Sequence, residues 1–260
     1  MRGTRRISAV VGVTASAFGL SLVVGYQAHP QAPNAPMTKV KVAVRPFTSA
    51  KEVLHATGTQ REPLVRRETY ARRSDGSYVS YYEVASPSGE IGWAGAIFDV
   101  RNGKAVDLEP FTKSAMTFYY SKEEMYEWLG TKESCASDGL ASGGASRQNR
   151  PADVFQGREV VQVVQQVNGQ RIEKWVDPEL DCYPLHKSIV LPGGGSQDHT
   201  VTQLDEGEPP DPLFEVPSGY IEASPEQVEA LYMAKYPGHR VFGEKLAKIV
   251  DDRYHNSRKK

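Results

Sequence analysis

Residues 159–176 read Glu159-Val160-Val161-Gln162-Val163-Val164-Gln165-Gln166-Val167, then Asn168-Gly169-Gln170, then Arg171-Ile172-Glu173-Lys174-Trp175-Val176. Two strand-like runs flank an Asn-Gly pair, whose backbone tolerates the positive φ angles that tight hairpins need. The stretch predicts a β-hairpin, and the same signal recurs on both sides of it. Downstream, Lys187–Leu191 and Thr200–Leu204 flank Gly193-Gly194-Gly195. Upstream, Arg66–Val84 folds back at Ser74-Asp75-Gly76-Ser77, with Tyr78, Tyr81 and Tyr82 supplying aromatic strand residues. Ile91–Phe98 and Ala105–Leu108 flank Asn102-Gly103, and Lys39–Val44 alternates polar and apolar residues as a half-buried strand does.

Helical signals are fewer. Ser121-x-x-Glu124 is a capping box that opens a helix to Leu129, with Gly130 as its stop. Ser224-Pro225-x-Gln227 opens a second helix, with Val228, Leu231, Tyr232 and Met233 on its apolar side and an end before Pro237-Gly238. The Ser/Gly-rich run Lys132–Arg150 reads as a long exposed loop, and the charged tail Asp251–Lys260 as frayed. Consecutive hairpins with few helices predict an α+β fold: an antiparallel sheet curled into an incomplete barrel over short helices, not a nucleotide-binding parallel sheet.

The N-terminus sets the compartment. Arg2, Arg5 and Arg6 precede Ile7–Gly25, a run without a charged side chain. At about 1.5 Å per residue, such a helix crosses most of a hydrocarbon core of roughly 30 Å. The basic flank stays cytoplasmic and the remainder is exported. Neither Ala28 nor Ala35 has the small neighbours that a signal peptidase prefers, so a retained anchor through residues 7–25 is favoured over a cleaved peptide. The chain therefore divides into a signal peptide or anchor (1–26), a Pro-rich linker (27–38), a β-rich domain (39–222) and a C-terminal helix with charged tail (223–260). The expected place is the bacterial cell envelope, with the domain tethered to the inner membrane, or secreted if the signal is cleaved.

The 260 residues carry 31 basic and 32 acidic side chains. Without the three arginines of the leader the exported part is weakly acidic, which gives no clustered basic surface for nucleic acid. Cys135 and Cys182 both fall in the exported part, where an oxidising compartment favours pairing them in a disulfide.

No pattern signals a metal or cofactor site. The six histidines are dispersed, and Pro184 separates Cys182 from His186. Gly-x-Ser-x-Gly is absent, and Ser196, Asp198 and His199 lie too close in sequence to orient one another as a triad. The acidic runs Asp177–Asp181 and Asp205–Asp211 contain turn-forming prolines and read as solvated turns. The aromatic residues are more suggestive. Tyr78, Tyr82, Trp93, Phe98 and Trp175, with Tyr70, Phe118 and Tyr120, would line either a closed core or an apolar groove fit for an acyl chain.

The C-terminal half adds Glu173-Lys174-Trp175-Val176-Asp177-Pro178-Glu179-Leu180, then Pro184-Leu185-His186-Lys187, then Leu213-Phe214-Glu215-Val216-Pro217-Ser218-Gly219-Tyr220. This order resembles the outer-membrane lipoprotein-sorting, or LolA-like, superfamily, in an uncharacterised periplasmic branch. The resemblance covers Gly157–Tyr220 and implies an open barrel with an interior able to hold lipid. It departs from the carriers in its anchor, its Ser/Gly loop and its extension past Tyr220. The expectation is a non-catalytic envelope protein that binds lipid, an acyl chain or a lipoprotein in an apolar groove. The alternative is a protein-interaction or sensor module of a membrane complex.

Cysteine labelling tests the redox reading. A thiol reagent added to unfolded, unreduced protein should modify neither Cys135 nor Cys182, whereas two labels per chain would exclude the disulfide. Closing that loop would stabilise the fold by roughly 4 kcal/mol in the chain-entropy treatment.

Overall fold

The computed structural model describes residues 44–56, 64–121, 124–125, 147–167, 169–192 and 194–259. The leader (1–26), the linker (27–38), the predicted strand up to residue 43, and Cys135 lie outside the described residues. Among the described residues no helix is long and apolar enough to cross a membrane.

Each predicted hairpin forms. β1 (Phe47–Ala56), β2 (Leu64–Arg72), β3 (Tyr78–Ala85), β4 (Ile91–Asp99), β5 (Lys104–Glu109) and β6 (Ser114–Tyr119) make a first meander. β7 (Arg147–Phe155), β8 (Arg158–Val167), β9 (Gln170–Asp177), β10 (Tyr183–Val190) and β11 (Ser196–Glu206) make a second. At the β2–β3 turn the Asp75 carboxylate accepts the Ser77 N–H at 2.8 Å, and Gly76 takes φ 88°. Gly103 has a second reason to be glycine, since a Cβ there would sit 2.4 Å from the Tyr120 carbonyl oxygen.

β1 pairs antiparallel with β11 from Phe47↔Glu206 to Ala56↔Ser196, with a bulge between Ala50 and Lys51, and so joins the meanders into one sheet of 12 strands. The short β12 (Ile221–Glu222) adds to β6 in parallel, the single parallel pairing of the order β12-β6-β5-β4-β3-β2-β1-β11-β10-β9-β8-β7. Among the described residues β12 and β7 do not pair, so the sheet they form is not closed.

Two helices follow. α1 (Pro225–Lys235) opens on the predicted capping box of Ser224 and Gln227, and α2 spans Glu244–Ser257. α2 corrects the expectation of a frayed tail. Leu246, Val250 and Tyr254 recur every four residues and pack on the sheet, a helical stripe that the surrounding charges conceal.

Three buried layers result. On one face of β3–β6, Phe98, Met116 and Phe118 meet Val228 of α1 and Val250 and Tyr254 of α2. On the opposite face, Val79, Ile97, Val106 and Leu108 are covered by Leu213, Phe214 and Tyr220 of the segment before β12. Across the join, Phe47 packs with Val160, Leu180, Tyr183, Leu185 and Val201. The Phe47 ring lies 4.6 Å from that of Tyr183 and 5.6 Å from that of Tyr70, and the Arg72 guanidinium sits 4.9 Å over it.

Phe47 is fully buried where the two meanders meet. Phe47→Ala should therefore lower unfolding stability by about 3–5 kcal/mol, read from the shift in denaturant midpoint. A loss under about 1 kcal/mol, the range of surface substitutions, would show that this ring does not hold the join.

Candidate functional site

Strand alternation sends Ala94, Ala96 and Phe98 of β4 towards the helices, and the two alanines leave space that α1 and α2 do not fill. A cavity of about 150 Å³ remains there, with Tyr82, Ala96, Asp107 and Met116 on its sheet wall and Tyr232, Leu246 and Val250 on its helix wall. The connection between the helices covers it through Val241 and Phe242. One carboxylate fastens this cover: Glu229 accepts the backbone N–H groups of Val241 and Phe242 at 3.1 and 3.3 Å and pairs with Arg240 at 3.2 Å.

The lining contains one anomalous side chain. Asp107 stands in register between Ala96 and Met116 and is among the residues that line the cavity. Among the described residues no hydrogen bond reaches it. Burial pushes its carboxyl up to about 6, against a smaller downward pull from Arg253. Tyr82 on the same wall is pushed up to about 12, chiefly by burial, with the Asp107 charge adding to it.

A second hollow, of about 440 Å³, opens on the opposite face between Trp93, Tyr81 and Thr69 and the segment 212–218. The Tyr81 hydroxyl donates to the Leu213 carbonyl at 3.0 Å, and the Arg73 guanidinium lies 3.8 Å over the Phe214 ring. Trp93 is 39% exposed, with Arg67 at 5.8 Å from its ring.

These positions divide the aromatic set read from the sequence. Tyr82 lines the cavity, and Tyr78 stacks on Phe98 at 4.3 Å in the same layer. Trp93 does not line it, because an odd position of β4 faces away from Ala94 and Ala96. Trp175 is also elsewhere, in the second meander, 5.2 Å from Phe155 and 4.9 Å from His186. Trp93 lines the second hollow instead, so neither tryptophan shares the cavity wall with Tyr82. Asp107 and α2 were not singled out by the sequence reading. Within Ala105-Val106-Asp107-Leu108 the alternation does place an acid beside a small inward residue, which is the available signal.

The remaining polar constellations lie away from the cavity lining. Asp198 and His199 are successive residues of β11 and so face opposite sides, and His199 lies 3.8 Å from Glu68. His186 meets the Thr200 hydroxyl at 3.1 Å, with its imidazole held below the usual histidine range by burial. Glu226, Asp251 and His255 bring ligand atoms within 4.8 Å of one another at the start of α1, on a largely exposed surface. Cys182 is engaged, donating its N–H to the Asp177 carbonyl at 2.9 Å, while its expected partner Cys135 lies outside the described residues.

No family model matches this chain, and no curated protein matches it. Solved structures do. The chain is similar to MucB at 12% identity over 68% of its own length and 58% of that chain, with a TM-score of 0.39. It thus spans little more than half of MucB. A LolA superfamily protein from Nitrosomonas europaea matches at 8% identity over 66% of this chain and 90% of that one, with a TM-score of 0.31. LprF from Mycobacterium bovis matches at 10% identity over 68% and 90%, with a TM-score of 0.32. All three likenesses are at 12% identity or less.

Asp107 gives a stability prediction. Its carboxyl is raised from 3.8 to about 6, so the folded chain favours the neutral form. That advantage is complete below the unfolded value and is lost as pH rises through about 6. Asp107→Asn should therefore leave stability nearly unchanged at pH 4 and raise it by up to about 3 kcal/mol at pH 7.5. Equal denaturant midpoints for the two proteins at pH 7.5 would contradict the assignment.

Proposed function

We propose that this is a non-catalytic protein of the bacterial envelope that holds an acyl chain between its sheet and its helix pair, in an incompletely closed barrel. The observation that carries the reading is the apolar cavity beneath α1 and α2. The leader Ile7–Gly25 supports export and tethering near a membrane.

The size of the cavity limits what enters it. An apolar cavity of about 150 Å³ accommodates a guest the size of benzene, whereas sites that enclose a drug-sized ligand run to about 300–1,000 Å³. As it stands, the space takes the last few carbons of one chain. A longer guest requires the cover at Val241 and Phe242 to lift, which breaks the two hydrogen bonds to Glu229.

The hollow beside Trp93 favours a second reading, a module that docks a protein partner. A large exposed aromatic next to an arginine is the kind of anchor that interfaces use. Two substitutions separate the readings. Ala94→Phe should fill the cavity and reduce binding of a fluorescent single-chain acyl probe at least tenfold, while Trp93→Ala leaves that binding unchanged. Lipid extracted from the purified wild-type protein and identified by mass spectrometry should be absent from Ala94→Phe. If Trp93→Ala alone abolishes a biological activity and no lipid co-purifies, the docking module is the better account.

A further inference from the structure

The acyl-chain reading leaves Asp107 unexplained. A charged carboxylate on the wall of an apolar cavity opposes an apolar guest, because ionised groups bind poorly where nothing hydrogen-bonds them. We propose that Asp107 is a proton-operated gate on this cavity: the carboxylate form excludes an acyl chain, and the neutral acid admits it. This rests on the acyl-chain reading and adds its regulation.

The geometry isolates Asp107 from the groups that would otherwise hold its charge. From β3 it is faced by the hydroxyls of Tyr78 and Tyr82, both neutral at physiological pH, and beyond Tyr82 stand Glu68 and Arg66 of β2. On its own strand Glu109 is committed elsewhere, accepting the backbone N–H groups of Phe111 and Thr112 and the Thr112 hydroxyl. From α1 the cavity receives Tyr232, and from the helix connection Arg240, whose guanidinium pairs with Glu229. From α2 comes Arg253, the one described cation whose charge acts on Asp107. Its influence is smaller than that of burial, which leaves the carboxyl near 6 and sensitive to modest acidification.

The expected size of the effect follows from populations. When only the neutral form binds, apparent affinity scales with the neutral fraction. For a group titrating at about 6, that fraction falls roughly thirty-fold between pH 5 and pH 7.5. The probe must not titrate itself, so a monoacylglycerol with a ten-carbon chain is suitable, measured by calorimetry on the full chain kept in solution with amphipol. Wild type should bind it on the order of thirty-fold more tightly at pH 5 than at pH 7.5. Asp107→Asn and Asp107→Leu should bind equally at both values, at or above the acid affinity of wild type. A carbon-detected NMR titration of the wild-type carboxyl should report its midpoint rising further when the probe is present, which structural perturbation by a substitution cannot mimic.

Wild-type binding that is saturable but equal at both pH values overturns the gate and leaves the acyl-chain reading standing. Asp107→Asn retaining the wild-type pH dependence overturns the gate as well, by moving the effect to another group. Absence of saturable binding at either pH overturns both.

Discussion

The antiparallel pairing of β1 with β11 is the constraint on which the molecule depends. Every other antiparallel neighbour in the sheet comes from the adjacent strand in sequence, so each meander forms from local hairpins. Only residues 47–56 and 196–206 must find each other across most of the described chain. Loop closure makes such a pairing slow and entropically costly. It is offset by what gathers there. Phe47 inserts among Tyr70, Tyr183 and Val201, and Ser49 shares a buried hydrogen bond of 2.6 Å with the Tyr183 hydroxyl. One arginine adds polar ties across the same seam. Arg72 of β2 donates to the Leu180 carbonyl and to Asp181 of the second meander. Within the second meander, Arg158 of β8 bonds Asp177 at the end of β9 and Glu206 at the end of β11. Without the join, β1 and β11 would each present an unpaired edge, an invitation to aggregate.

Once joined, the two halves of the sheet are treated differently. β3–β6 are covered on both faces, by the helices on one side and by residues 211–220 on the other. Two-sided cover demands small residues where cover and sheet approach, and Ala94, Gly95 and Ala96 supply them. Gly95 lies so close beneath the Tyr81 ring that a Cβ there would come within 2.4 Å of it. On the other face the neighbouring alanines leave the cavity. The strip that permits close packing by one cover is thus the strip that leaves space beneath the other, and Asp107 opens into that space.

The hairpins were legible because their turns carry chemistry that few other conformations use. Asp75-Gly76, Asn102-Gly103 and Asn168-Gly169 each announce a reversal, and the flanking strands pair antiparallel across them. β1 and β6 were not legible, for opposite reasons. In β1, Thr48, Lys51 and Glu52 interrupt the apolar positions, while in β6 residues 114–118 are buried on both faces and show no alternation at all. β7 lay hidden at the end of a Ser/Gly-rich stretch, and α2 beneath a run of charges. The site was less legible than the fold. Aromatic content gathers Tyr78, Tyr82, Trp93, Phe98 and Trp175 into one set, yet which face each occupies depends on parity along its strand. A cavity also arises from what is missing, two alanines in a row of larger residues, and an absence of volume leaves little trace in composition.

The C-terminal segment ties the two covers into one structure. After Leu213 and Phe214 lie on one face, the chain crosses the sheet edge as β12 and continues into α1 and α2 on the other. The crossing is brief. The Ile221 N–H donates to the Lys113 carbonyl at 2.9 Å and the Ala223 N–H to the Ala115 carbonyl at 3.0 Å. Arg258 at the end of α2 returns to pair with Glu222 of β12, and its guanidinium lies 4.6 Å over the Tyr254 ring. Both ends of the helix pair are therefore anchored at the same two-residue strand. The connection between the helices, by contrast, depends on Glu229. If the helix pair moves to admit a guest, the compliant part is that connection, because shifting either anchored end would also disturb the pairing of β12 with β6. On the proposed acyl-chain reading, entry would come from the side of Arg240, Val241 and Phe242, the side farthest in chain from the β12 anchor.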